Sequence, residues 1–270
     1  MLARRPVMLA AFAAAVLGSA PPLVEVQAAR SHRRIYAAGS GHDMLGLAET
    51  TAEIVALSNQ THPRVLYLGT ATYDEPSAMD DQTKGFAARG CPVASLSIAW
   101  RAPPHSELAA AFDSADIVVI SGGNTLFAVD RWVRLGVDAL MRTANARGVV
   151  LAGGSAGFIS LCNGGHSDSM EPDSYKNPPG PLLNSSAAAK AAVDAAWAYV
   201  RVPGIGVLDS LCCPHFDMTG TNGVHRAVDF STTLARHLGE FAIGIDNCAR
   251  PGACKPKEPL APSRPGTCPP

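Results

Sequence analysis

A Gly-x-Ser-x-Gly pentapeptide, Gly153-Gly154-Ser155-Ala156-Gly157, follows directly on the apolar run Val149-Val150-Leu151-Ala152 and leads into Phe158-Ile159-Ser160-Leu161. That order spells a buried strand, a tight turn and a buried helix. The turn would hold Ser155 in a strained conformation, with its hydroxyl beyond the carboxyl end of a strand and at the amino end of a helix, where developing negative charge is favoured. A serine placed in this way is a candidate nucleophile. Small residues at such a junction also serve plain helix packing, so the surrounding residues must decide.

A serine hydroxyl needs a base to take its proton, and the base needs a partner that holds its tautomer. Downstream of Ser155 lie His166, His215, His225 and His237. His225 and His237 fall on one amphipathic helical stretch and read as surface residues. His215, in Cys213-Pro214-His215-Phe216-Asp217, follows an apolar run where a strand would deliver it to a sheet edge, and it is the candidate base. For the acid, Asp168, Glu171 and Asp173 all follow within a polar stretch, and spacing alone does not choose among them.

The elements that must position these residues alternate strand and helix between about residues 33 and 248, the pattern of a parallel sheet with right-handed crossovers. Strands are expected at 35–38, 64–68, 92–98, 116–120, 149–152, 200–202, 206–213 and 241–245. Helices are expected at 45–57, 74–89, 106–112, from 124 to about 147, at 186–197 and at 222–238, with an irregular stretch from 163 to 181. Ser121-Gly122-Gly123-Asn124-Thr125 ends one buried strand and Gly153-Gly154-Ser155 ends the next, so two glycine turns open at the same sheet edge. In open α/β sheets that edge is where ligands bind.

With 270 residues, 47% hydrophobic, 17% charged and a net charge of -1, the chain suits one large α/β domain and carries no basic footprint for nucleic acid. Residues 1–30 read as a targeting segment: Arg4 and Arg5 precede an alanine-rich apolar run, and no acidic residue occurs before Glu25. The run is shorter than the roughly 20 residues that span a bilayer, so no stable membrane association is expected after processing. The location implied is secreted or organellar, or cytoplasmic if the segment does not function. Residues 31–248 form the expected domain, and the proline-rich stretch 249–270 is expected to be a disordered tail. Seven cysteines show no metal-binding spacing. Cys91, Cys162, Cys212 and Cys213 read as small buried hydrophobes rather than a disulfide framework, whereas Cys254 and Cys268 could pair in an exported protein.

Taken together, SGGNT at 121–125, GGSAG at 153–157, GHSDS at 165–169 and CPHFD at 213–217 resemble the dipeptidase E and cyanophycinase family of serine peptidases, closer to its aspartyl dipeptidase branch. The resemblance spans about residues 34–248. It implies a flavodoxin-like three-layer sandwich with a mostly parallel sheet, of the class I glutamine amidotransferase type. It also implies Ser155 as nucleophile, His215 as general base and acid, and Asp168 as the acid orienting it. Gly123 and Ala156 would supply oxyanion-hole N–H groups, Asn124 would hold that loop against the substrate, and Arg226 would receive an aspartate side chain. The implied substrate is a short peptide, an N-terminal aspartyl dipeptide, cleaved through an acyl-enzyme without metal or cofactor. A homodimer is compatible with this reading. Alternatives on the same site are a cyanophycinase-like hydrolase, an esterase or amidase, and an inactive family member.

Overall fold

The computed structural model describes residues 33–175, 195–237 and 239–249. The expected targeting segment, most of the expected helix 186–197 and the proline-rich tail beyond 249 lie outside the described residues. Five strands, β1 (Arg34–Ala38), β2 (Val65–Leu68), β3 (Val93–Ser95), β4 (Ile117–Ile120) and β5 (Val150–Gly154), form one sheet in the order β1-β5-β4-β2-β3. Every pairing in it is parallel, as short apolar strands separated by helices require.

Both faces of this sheet are covered, and the pleat shows how. Leu66, Leu68, Val118, Ile120 and Leu151 pack into one core with α3 (His105–Ser114), α4 (Thr125–Leu135) and α5 (Val137–Ala146). Their alternates Val65, Tyr67, Ile117, Val119, Val150 and Ala152 pack on the other side against Ile54 of α1 (Ala48–Ser58) and Phe86 of α2 (Pro76–Ala88). The result is the three-layer sandwich that the alternating pattern implies. The single helix expected after residue 124 is two, because Gly136 takes φ +72° and ends α4.

After α6 (Ala156–Leu161) the chain departs from expectation. The stretch expected to be irregular begins with a strand, β6 (Cys162–Ser167), and joins β7 (Val200–Pro203), β8 (Leu208–Cys213) and β9 (Ala242–Gly244) in a second sheet ordered β7-β6-β8-β9. The glycines that made β6 look like a loop are there because neighbours press on it. A Cβ on Gly165 would stand 2.6 Å from the Cys212 carbonyl oxygen and 2.7 Å from the Ile159 side chain. The expected helix at 222–238 is shorter, α7 (Arg226–Leu234).

A second correction concerns the cysteines. Cys162 and Cys212 are not separate small hydrophobes but a disulfide, with Cα atoms 6.3 Å apart and both residues buried against Phe158. The bond joins the end of α6 to β8 across 50 residues of chain, a separation that gives no spacing signal. Cys248 is also disulfide-bonded, while Cys91 and Cys213 are free and buried. The suggested pairing of Cys254 with Cys268 lies outside the described residues.

Closing a loop of that length removes unfolded-chain entropy worth about 4 kcal/mol in the chain-entropy model. The double variant Cys162→Ala, Cys212→Ala should therefore unfold at clearly lower urea than the wild type, by a difference approaching that figure. Equilibrium urea titration of both proteins checks it.

Candidate active site

Ser155 occupies the turn between β5 and α6 with φ +54° and ψ -116°, a conformation costing about 1–3 kcal/mol for a residue with a side chain. Close packing holds it there. A Cβ on Gly157 would lie 2.3 Å from the Ile120 carbonyl oxygen, and one on Gly153 would lie 2.5 Å from the Gly157 backbone, so strand and helix cross without side chains between them.

His215, just past the end of β8, also has a positive φ, +48°. Its Nε2 lies 2.8 Å from Ser155 Oγ. Its Nδ1 faces Asn247 Oδ1 at hydrogen-bonding range. The amide orientation of Asn247 is fixed by its Nδ2, which donates to Asp43 Oδ2 at 3.0 Å, and Asp43 is itself held by the Ser40 hydroxyl at 2.9 Å. Because Asn247 Oδ1 only accepts, Nδ1 must carry the proton and Nε2 must accept from the serine hydroxyl. That tautomer is the one a general base needs.

Asp168, expected to orient His215, is placed differently. Its Oδ2 accepts from Arg226 Nη1 at 2.7 Å, and Arg226 Nη2 donates to the His166 carbonyl oxygen at 2.8 Å. Burial would raise the Asp168 carboxyl, but the Arg226 charge and hydrogen bond outweigh it and hold it below the usual range. The physical reason is topological. Asp168 comes directly off β6 and meets the first residue of α7, whereas the Nδ1 side of His215 is reached from beyond β9. Asp168 still acts on His215 through space.

Arg226, the expected receptor for a substrate carboxylate, is 3% exposed and committed to Asp168 and to backbone, and its guanidinium lies over the Tyr199 ring at 5.1 Å. Asn124 caps α4 by accepting from the Phe127 N–H at 3.0 Å, as its position after a glycine pair suggests, and its Nδ2 donates to the Ser169 carbonyl and the Ser174 hydroxyl. It is a buried joint between two loops. Gly123 takes φ +118°, and a Cβ there would lie 2.2 Å from the Ala71 carbonyl oxygen. Its neighbour Gly122 packs against the nucleophile, an added Cβ falling 3.4 Å from Ser155 Cβ. Both glycine turns thus meet at one edge, and Ala156 opens α6 immediately after the serine.

Asn247 and Asp43 were not among the residues expected from sequence. The available signal for Asn247 is its place just beyond a short apolar strand, where chains in parallel sheets reach the ligand edge. Asp43 follows Ser40-Gly41-His42 after β1 at the same kind of edge.

A strained serine hydrogen-bonded to histidine at the carboxyl edge of a parallel α/β sheet is the arrangement used by serine-type hydrolases. The chain belongs to peptidase family S51, whose family model matches residues 35–249. It is 29% identical over 164 residues to the uncharacterized peptidase YgaJ of Bacillus subtilis (strain 168), covering 61% of this chain and 59% of that protein. It is also 29% identical over 203 residues to a Trypanosoma brucei brucei protein named G2/mitotic-specific cyclin-1, covering 67% of this chain and 58% of that protein. The chain thus spans less than two thirds of either relative. Among solved structures, a protein described as peptidase E from Listeria monocytogenes EGD-e matches with TM-score 0.53 at 16% identity, over 80% of this chain and 91% of that one. A peptidase from an acI-B1 Actinobacterium matches with TM-score 0.54 at 16% identity, over 79% and 80% of the two chains. These likenesses establish the shared fold.

Burial first, and the Arg226 charge second, hold the His215 imidazole below its ordinary value, while Asn247, Asp168 and Asp43 pull the other way. Only the neutral ring can act as base, so kcat/KM should fall as pH drops through a limb lying below about 6.5. Asp43→Asn removes a charge that favours the imidazolium, so the limb should move further toward acid. Asn247→Ala leaves the ring unoriented and should cost about 100-fold in kcat. pH–rate profiles of the three proteins test both statements.

Proposed function

We propose that the protein is a serine exopeptidase acting on short peptides, with Ser155 as nucleophile and His215 as general base and then general acid. The observation that carries the reading is the 2.8 Å contact of Ser155 Oγ with His215 Nε2 at a turn where Ser155 is held at positive φ. Ser155 attacks the scissile carbonyl as its proton passes to Nε2. The N–H groups of Gly123 and Ala156 receive the oxyanion, and the imidazolium returns the proton to the leaving amine. Water then repeats the sequence on the acyl-enzyme, with His215 again as base. Asn247 keeps the ring in register, and Asp43 keeps Asn247 in register.

Membership of a peptidase family supports peptide rather than ester substrates. A pocket of about 250 Å³ beside His215, lined by Trp197, Tyr199, Met218 and Thr219, has room for about one residue, which supports short peptides. Dipeptides with N-terminal aspartate are the substrates that the family resemblance implies. The pairing of Arg226 with Asp168 works against that finer preference. The buried Cys162–Cys212 disulfide supports an oxidising, exported setting. The cyclin name belongs to a relative and contributes no residue to this mechanism.

The test is Ser155→Ala beside the wild type on a panel of X-Leu dipeptides, with labelling by a fluorophosphonate. The wild type should take one label and release free amino acids, and the variant should lose both, with a rate loss of at least about 10^4-fold. Labelling without cleavage of any peptide would retain the nucleophile and remove the peptidase reading.

A further inference from the structure

The pocket beside His215 has a charge balance that an acidic substrate does not match. Among the described residues, those that line it with charge are Asp168, Glu171 and Arg226. Asp168 and Arg226 cancel each other at 2.7 Å, in a pair whose arginine is almost fully buried. The Arg226 Nε–H is buried without a hydrogen-bond partner, and the guanidinium lies over the Tyr199 ring. Each of its two Nη groups already donates once, to Asp168 and to the His166 carbonyl.

Among the described lining residues, Glu171 is left without an ion-pair partner. Its carboxylate is positioned by a chain of hydroxyl and indole contacts: Trp197 Nε1 donates to Thr221 Oγ1 at 2.8 Å, and the Thr221 hydroxyl donates to Glu171 Oε1 at 2.7 Å. Thr221 thus fixes one carboxylate oxygen. Burial holds the Glu171 carboxyl above the usual glutamate range, the Thr221 hydrogen bond offsetting part of that, and Asp168 and Asp173 adding to it. A partly desolvated carboxylate of this kind gains more from an arriving cation than an exposed one does. Trp197 and Tyr199, whose rings meet edge to face at 4.9 Å, wall the same space and can cover an alkyl stem.

We propose that this pocket selects substrates carrying a cationic nitrogen, seated against the Glu171 carboxylate with its aliphatic stem along Trp197 and Tyr199, in place of an acidic side chain seated on Arg226. The assignment rests on the serine peptidase reading for the position of the scissile bond. His215 lines the pocket and also contacts Ser155, so a side chain held there hangs beside the bond being cut.

The experiment compares Lys-Leu, norleucyl-Leu and Asp-Leu on the wild type and on Glu171→Gln. It reads kcat/KM and, separately, how well each peptide protects Ser155 from the fluorophosphonate. The wild type should favour Lys-Leu over its uncharged isostere by about tenfold, with Asp-Leu poorest, and the variant should bring the lysyl ratio close to one. If Glu171→Gln instead weakens Lys-Leu and norleucyl-Leu equally, Glu171 holds the α-ammonium common to both, and the side-chain assignment is overturned. Protection by Lys-Leu without cleavage would remove the peptidase reading and keep the pocket assignment. Asp-Leu proving the best substrate or protector, or a variant with unchanged ratios and rates, overturns it.

Discussion

A hydroxyl and an imidazole can exchange a proton only within a hydrogen bond's length, and here the two groups follow strands of different sheets. Ser155 ends β5 of the parallel sheet, and His215 follows β8 of the second sheet. What brings them together is α6, whose first turn lies on the end of β4 and whose last residue passes directly into β6. A Cβ on Gly157 would collide with the β4 backbone, and one on Gly165 with β8 and Ile159. The Cys162–Cys212 bond then ties the end of that helix to β8. Helix, glycines and disulfide together set the distance on which the chemistry depends.

The electrostatics of the site follow from a neutral group in a sensitive position. An aspartate on Nδ1 would stabilise an imidazolium by full charge, whereas the Asn247 amide does so only by a neutral hydrogen bond that also orients the ring. Two carboxylates act on His215 from one step away, Asp43 behind Asn247 and Asp168 beside Arg226. An imidazolium at His215 is therefore favoured by one neutral contact, from Asn247, and by two carboxylates acting through space. A cysteine-based site with histidine and asparagine works by the same division of labour.

Much of this was legible in the sequence because local rules and global packing agree there. The apolar runs ending in Gly122-Gly123 and Gly153-Gly154 could form only buried strands with tight turns, and His215 after a proline at a strand end had one natural destination. Legibility failed where composition and environment disagree. β6 reads as a loop because two of its six residues are glycine, yet those glycines answer to α6 and β8 pressing on either side. Asn247 is silent because its role depends on β9 lying next to β8, a long-range pairing that no window of sequence reports. The disulfide is silent for the same reason. Asp168 sat in a motif with the right order, but its proximity to Arg226 depends on where α7 begins.

Ser155 and His215 are two of only five residues other than glycine that have positive φ among those described. Glycine would adopt either backbone conformation without strain. A lineage released from selection for turnover could therefore gain stability by single substitutions at both positions. Tyr73 and Asp74 also have positive φ, but only Ser155 and His215 among these residues are joined by a side-chain hydrogen bond. Serine and histidine at these two points carry a backbone cost that glycine would avoid, the cost expected where the side chains rather than the turns are what the fold must supply.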